Sequence, residues 1–217
     1  IRDGYGQTES AVLVANFPSV PVRVGAMGKP TPGFDVAIID DEGRELPPGE
    51  EGHIGVRIKP GRPVGLFHGY YGDEALTNEV FAGEWYYTGD RARRDEDGCF
   101  WFVGRADDVI LSAGYRISPF EVESALLEHP AVAEAAVVGS PDPIRGQIVK
   151  AFVVLVPGTE TSPTLAQEIQ DFTRKVTAPY KYPREIEFVA ELPKTISGKI
   201  RRVELREREV ARKGGGS

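Results

Sequence analysis

With 217 residues, 41% of them hydrophobic and 27% charged, the chain has the balance of an ordinary globular protein with room for one or two cores. Its formal net charge of −7, from 26 basic and 33 acidic side chains, points away from a general binder of nucleic acid or of anionic membranes. The single cysteine, Cys99, rules out an internal disulfide and a cysteine metal cluster, and suits a reducing compartment; no apolar run reaches the roughly 20 residues of a membrane span.

From Gly25 to Val103 the chain reads as β-rich. Phe34–Asp40 and His53–Ile58 are two strands joined by the turn-rich "DEGRELPPGEEG". Trp85–Thr88 and Cys99–Val103 repeat the plan, with Asp95–Gly98 as the turn of a hairpin and Cys99 buried among aromatic residues. After Arg105 the period changes. "SPFEVESALLEHP" predicts a helix with Ser118 as N-cap, Pro119 in the first position and Glu121 three residues after the cap. His129, before Pro130, fits the helix end. "AVAEAAVVG" and "VKAFVVLV" follow as strands about the turn "SPDPIRGQ". "SPTLAQEIQDFTRKV" is a helix stopped by the prolines of "APYKYP", "EIEFVAEL" a strand, and "RRVELREREVARK" a charge-laced helix. The change near Arg105–Asp108 predicts a β-rich part over 1–106, an α+β domain over 107–213, and a flexible linker or appended tail over 214–217 within "KGGGS". The fold class is α+β, the second part holding an antiparallel sheet flanked by helices.

Three stretches carry chemistry. "YGQTE" (Tyr5, Gly6, Gln7, Thr8, Glu9) comes first, then "YTGD" (Tyr87–Asp90) with "GRADD" (Gly104–Asp108), then "PKTISGKIRR" (Pro193–Arg202). A ribose diol needs a carboxylate that accepts two O–H bonds, which Asp90 after a Thr-Gly turn could supply. Adenine needs a flat face, as at Tyr5. A phosphate needs a hydroxyl and cations, for which Thr8, Arg105, Arg116 and Lys199 are available, and a magnesium ion beside it needs a carboxylate such as Glu9. Taken singly each stretch is weak: a loop, a turn, a surface ion pair, a solvated lysine. Spacing does not bring them together. His53 and His68 lack acidic or cysteine company at ligand spacing, so a metal–histidine site is rejected.

The order of the stretches resembles that of the adenylate-forming superfamily, which includes acyl-CoA synthetases, luciferases and peptide-synthetase adenylation domains. The likeness runs from Tyr5 to Arg202. "GRADDVILSAGYRISPFEVESALLEHPAVAEAAVVGSPDPIRGQIVKAFVVL" and "TAPYKYPREIEFV" look most like medium-chain acyl-CoA synthetases. In that family "YGQTE" lies late in a large N-terminal domain. The resemblance therefore implies the end of that domain (1–106) followed by the small mobile one (107–213). The family's phosphate loop and most of an acid pocket lie outside the chain, and the chain alone is expected to be inactive.

The resemblance further implies substrates and roles. ATP with Mg²⁺, CoA and a carboxylic acid, a medium-chain fatty acid, are the expected substrates. Short-chain or aromatic acids, carrier-protein loading, and a non-catalytic binding module stay open. Lys199 would be the catalytic lysine of adenylation, with Tyr5, Gly6, Gln7, Thr8, Asp90, Arg105 and Arg116 on the nucleotide and Glu9 on the metal. Asp107 would be the hinge of a rotating small domain. Gly114, with no side chain, would let the pantetheine arm of CoA pass near Tyr115 and Arg116, while Arg145, Arg174, Tyr182 and Arg184 would meet its nucleotide. Nucleic acid is not an expected partner, since Glu204, Glu207 and Glu209 interleave with the basic residues of the last helix. The expected location is cytoplasmic, or the mitochondrial matrix for a eukaryotic protein.

Overall fold

A computed structural model describes residues 2–214. The chain divides into two compact units, Ile1–Asp107 and Asp108–Ser217. Of the expected tail, Gly214 closes the last helix and Gly215–Ser217 lie outside the described residues.

The first unit opens with a three-stranded antiparallel sheet, β1 (Gly4–Gly6), β2 (Val12–Ala15) and β3 (Lys29–Pro30). β4 (Val36–Ile39), β5 (Glu51–Arg57), the short helix α1 (Glu74–Val80), β6 (Phe81–Ala82), β7 (Trp85–Arg94) and β8 (Phe100–Arg105) follow. These strands form an antiparallel sheet in which β5 runs along one edge of β7 and β6, then β8, along the other. Leu13 and Val14 of the small sheet meet Val36, Ile38, Ile54, Val56, Tyr86 and Phe100 of the large one in a single core. Ala37, Ile39 and Trp85 bury the opposite face of β4, so this strand is apolar throughout rather than alternating. Cys99 is buried beside the hairpin turn, which the Asp95 amide closes on the Cys99 carbonyl at 2.9 Å.

β7 differs from the expected Trp85–Thr88. It runs on to Arg94, and Thr88-Gly89-Asp90 stands opposite Ile54 alone. What the sequence presents as a Thr-Gly turn is thus a bulge inside one strand, with Gly89 at φ +76°.

The second unit begins at the end of a 3₁₀ turn, Ala106–Asp108. It contains β9 (Ile110–Ser112), β10 (Tyr115–Ile117), α2 (Pro119–Leu127), β11 (Val132–Asp142), β12 (Gly146–Leu155), α3 (Pro163–Val176), β13 (Glu185–Phe188) and α4 (Arg202–Gly214). The sheet order is β10-β9-β12-β11, and β13 lies parallel to β12, so the sheet is mixed rather than wholly antiparallel. Side-chain alternation explains the unbroken apolar runs. Ala135, Val137, Val149, Ala151 and Val153 face Val122 and Leu126 of α2 and Ile169 of α3, whereas Ala136, Val138 and Phe152 face Leu205 of α4.

Ser118 caps α2, accepting the Glu121 amide, but the Glu121 carboxylate takes Lys181 at 2.6 Å instead of closing back on the cap. Glu128, not His129, is the C-cap; the buried His129 ring accepts the Ala131 amide through Nδ1. α4 is held to its sheet face by charge as well as by Leu205. Lys150 on β12, 3% exposed, donates to Glu209 at 2.6 Å and to Glu187 at 2.7 Å, while Ser140 and Arg212 donate to Glu209, which is 0% exposed.

Candidate active site

The β7–β8 hairpin gathers the first group. Its register pairs Asp90 directly with Arg105, residues that the sequence separates by a whole turn of chain. Arg105 Nη1 stands 3.8 Å from Asp90 Oδ1, and its Nε donates to Asp107 at 3.1 Å. Gly89 leaves the space for this: a Cβ there would lie 3.3 Å from Arg105 Nη2.

Beneath Asp90 lies the "YGQTE" segment. The Tyr5 hydroxyl donates to Asp90 Oδ2 at 2.6 Å, and Gln7 Nε2 donates to the same oxygen at 2.9 Å and to the Thr88 carbonyl at 2.8 Å. Tyr86 donates to Gln7 Oε1 at 2.9 Å. Burial pushes the Asp90 carboxyl above the usual carboxylate range, against the downward pull of Tyr5, Arg105 and Gln7. Burial, with the Asp90 charge added, likewise raises the Tyr5 phenol well beyond ordinary alkaline titration. Tyr5 therefore spends its hydroxyl on Asp90 and packs part of its ring into the core near Phe102. Gly6 is required by close approach, since a Cβ would meet the Ala11 carbonyl oxygen at 2.7 Å.

Thr8 is exposed in the connection after β1. Glu9 accepts the Tyr70 hydroxyl at 3.1 Å, and burial, then this bond, raises the Tyr70 phenol. Among the described residues no three side chains form a metal-holding group. Glu9 with one oxygen committed to Tyr70 suits Mg²⁺ only in the way that ion is commonly held, by one carboxylate with phosphates and water supplying the rest. Tyr70 and Tyr86 were not among the sequence-based candidates, and Thr88 was named only within "YTGD", with no role of its own. The period-two alternation running back from Asp90 through Thr88 to Tyr86 is the signal that picks out the last two. His53, rejected as a metal ligand for want of acidic company, does have an acidic partner in space: its Nε2 lies 2.9 Å from Asp41 Oδ1.

Asp107 and Asp108 each meet arginines. Asp107 accepts from Arg105, whereas Asp108 is held by Arg206 and, at 3.7 Å, by Arg202 of α4. Arg202 also forks onto Glu123, with contacts of 2.9 and 2.6 Å.

In the second unit Lys199 sits on a turn before α4, not on the helix. The Thr195 amide donates to the Lys199 carbonyl at 2.8 Å and the Lys199 amide to Thr195 Oγ1 at 3.1 Å. Its side chain is exposed, and its ammonium makes no ion pair among the described residues. Ala113 and Gly114, at φ +50° and +84°, form the turn of the β9–β10 hairpin, and nothing lies within 4 Å of where a Gly114 Cβ would be. The turn is anchored by Ala113 N–H donating to the Arg145 carbonyl at 3.0 Å. Tyr115 stacks on Tyr180, with centroids 4.3 Å apart and planes 17° apart. Tyr182 lies between two cations, Arg174 4.2 Å and Arg184 5.2 Å from its ring centre. Arg116 is exposed on β10. The structure thus joins Gly114, Tyr115 and Arg145 around one turn and Arg174, Tyr182 and Arg184 in one cluster; Tyr180, also missed from the sequence, links the two stretches of chain.

Two family models match this chain: the AMP-binding enzyme over residues 1–71 and the AMP-binding enzyme C-terminal domain over residues 121–199. Among curated relatives, the human mitochondrial acyl-coenzyme A synthetase ACSM3 is 58% identical over 96% of the chain, and 4-hydroxybutyrate–CoA ligase 1 of Metallosphaera sedula is 60% identical over 96%. The chain spans 36% and 37% of the length of these two proteins. Among solved structures, an anthranilate CoA ligase in complex with anthranoyl-AMP superposes with TM-score 0.83 at 41% identity, covering 96% of this chain and 39% of that one. ATP-bound MatB from Rhodopseudomonas palustris superposes with TM-score 0.85 at 30% identity, covering 96% and 40%. With its motifs, its two-unit fold and these likenesses in agreement, the chain belongs to the AMP-binding, adenylate-forming enzyme family.

Proposed function

We propose that the chain forms part of an ATP-dependent acyl-CoA synthetase, an acid–thiol ligase that acts on medium-chain fatty acids. The observation that carries this reading is the cross-strand Asp90–Arg105 pair resting on Tyr5 and Gln7. It offers a carboxylate oxygen and a guanidinium to a ribose diol. The relatives' names as acyl-coenzyme A synthetases and CoA ligases support the reaction proposed here, which runs in two halves. In its first half a substrate carboxylate oxygen bonds to the α-phosphorus of ATP, the bond to the β-phosphate oxygen breaks, and pyrophosphate leaves. In the second the CoA sulfur bonds to the acyl carbon, the thiol proton is lost, and AMP departs with the electrons of the mixed-anhydride bond.

The residues divide these tasks. Asp90 and Arg105 hold the ribose, Tyr5 edges the adenine, Gly6 and Gln7 shape that wall, and Thr8 and Arg116 meet phosphate oxygens. Lys199 offsets the negative charge that builds as two anions meet. An ion pair at 4 Å is worth about 1 kcal/mol in water and about 4 kcal/mol at a partly desolvated surface, so this lysine works when water is excluded around it. Glu9 would hold Mg²⁺, which would neutralise phosphate charge. Asp107 serves as the hinge. Gly114 and Tyr115 admit the pantetheine arm, and Arg145, Arg174, Tyr182 and Arg184 receive the nucleotide end of CoA.

A second reading concerns the acid. The 60% identity to a 4-hydroxybutyrate–CoA ligase and the superposition on an anthranilate CoA ligase support a short hydroxy acid or an aromatic acid as the alternative to a fatty one. "Mitochondrial" in the name of the human relative supports the matrix as location in a eukaryote; among the described residues no helix is long and apolar enough to cross a membrane. The test is AMP release by a polypeptide of the relatives' length carrying this chain, supplied with ATP, Mg²⁺, CoA and acids from butyrate to decanoate, 4-hydroxybutyrate or benzoate. The highest kcat/KM is expected with hexanoate to decanoate, and the chain alone should release no AMP. Preference for 4-hydroxybutyrate or benzoate would replace the fatty-acid assignment, and turnover by the chain alone would contradict the partial role.

A further inference from the structure

We propose that Gln7 is the positioning residue for Asp90, itself locked by the Tyr86 hydroxyl, and that it leaves a single Asp90 oxygen for the ribose. This rests on Asp90 as the ribose carboxylate. The primary amide makes three bonds: Nε2 to the Thr88 carbonyl and to Asp90 Oδ2, and Oε1 from Tyr86. Only one amide orientation satisfies all three. Turned over, Oε1 would face the Thr88 carbonyl and the Asp90 carboxylate, two acceptors that offer it no proton. Those two acceptors set which end of the amide faces them, and Tyr86, among the largest fully buried side chains, holds the Oε1 end in place with its hydroxyl. Asp90 Oδ2 thereby receives two donors, Tyr5 and Gln7, whereas Oδ1 points toward Arg105 with 3.8 Å between them.

The chemistry at position 7 is narrow. Glutamate would place a second negative charge against Asp90. Methionine or leucine would strand the Thr88 carbonyl and the Tyr86 hydroxyl, and would leave Tyr5 alone to orient the carboxylate. The two-bond diol grip expected of Asp90 thus narrows to the lone pairs of Oδ1 assisted by Arg105.

The probe is AMP beside 2′,3′-dideoxy-AMP, titrated calorimetrically into the chain and its Gln7→Met and Tyr86→Phe variants. Loss of a hydrogen bond to a charged group predicts about tenfold weaker AMP binding for Gln7→Met and about threefold for Tyr86→Phe. The dideoxy analogue, which has no diol to be held, should change by less than twofold. In parallel the Asp90 carboxyl carbon is titrated by NMR. Facing it are Tyr5, Arg105, Asp107 and Gln7. Removing the Gln7 donor should move its midpoint upward, and Tyr86→Phe should move it less. Equal weakening of both nucleotides, or an unmoved Asp90 midpoint, would make Gln7 a mere packing residue and overturn the proposal. A midpoint shifted by Gln7→Met, with a wild-type chain that binds AMP and the dideoxy analogue equally, would support the Gln7–Asp90 link and remove Asp90 from the ribose. Should Gln7→Met not fold, Tyr86→Phe carries both readouts.

Discussion

Replacing Glu209 with glutamine should loosen the second unit and leave the first untouched. Burial alone would raise the Glu209 carboxyl; bonds from Arg212, Lys150 and Ser140 overcome that and hold it down, from 4.5 to about 2. That difference, at 1.36 kcal/mol per pKa unit, is roughly 3 kcal/mol. The structure gives a similar figure independently: the variant leaves the buried Lys150 ammonium with Glu187 as its charged partner, and breaking a buried pair costs about 3–5 kcal/mol. The assay is native-state hydrogen exchange at Phe152, a buried β12 residue beside this cluster. About 3 kcal/mol corresponds to roughly 100-fold faster exchange. Both tryptophans, Trp85 and Trp101, lie in the first unit, so the denaturation midpoint by their fluorescence should not move. Because the folded pKa is depressed, the stabilisation is complete above about pH 4.5 and fades as pH falls toward 2. Wild-type protection should drop across that window, and the Glu209→Gln chain should lack this part of the drop. Less than threefold faster exchange, or an equal shift in the tryptophan transition, would refute the reasoning.

Three further outcomes follow from backbone geometry. Gly89→Ala puts a Cβ against Arg105 at φ +76°, a strain of about 1–2 kcal/mol, and should weaken AMP binding to the chain about tenfold by calorimetry; unchanged affinity would take Arg105 out of the ribose grip. Gly114→Asn keeps a residue that tolerates φ +84° and enters open space, so thermal unfolding should stay within about 1 kcal/mol of wild type. In a polypeptide of the relatives' length it should slow thioester formation at least tenfold and spare adenylation; equal rates would mean the thiol arm does not pass there. In the same polypeptide Asp107→Pro, which fixes φ, should spare one half-reaction only, and parallel loss of both would remove Asp107 as the hinge.

Elements were legible where local chemistry is strong. Ser118-Pro119 and Ser162-Pro163 start their helices as capped pairs should, and the Asp95–Gly98 turn closes its hairpin. Register was not legible, because no local signal says that Thr88-Gly89-Asp90 bulges opposite Ile54 or that Asp90 faces Arg105. The motifs named Tyr5 and Gln7, but not that the Tyr5 hydroxyl and the Gln7 amide nitrogen meet on Asp90, nor that Tyr86 and the Thr88 carbonyl hold the rest of that amide. Lys150 and Glu209 lie 59 positions apart, each reading as a solvated charge in its own neighbourhood. Asp108 looks like a copy of Asp107 in "GRADD", and nothing local announces that Arg202 and Arg206 of α4 hold it. The parallel pairing of β13 with β12 escaped for the same reason: strand direction depends on where α3 returns the chain, not on the strand's own residues.

The most direct test of the central claim is Lys199→Ala in a polypeptide of the relatives' length, with the two half-reactions measured separately. Acyl-AMP formation, followed by ATP–pyrophosphate exchange, should fall at least 100-fold, a loss of about 2.7 kcal/mol of transition-state stabilisation. Thioester formation from supplied acyl-AMP should stay within about threefold of wild type. An equal loss in both half-reactions, or none in the first, would contradict the role given to Lys199 and with it the division of labour proposed for this chain.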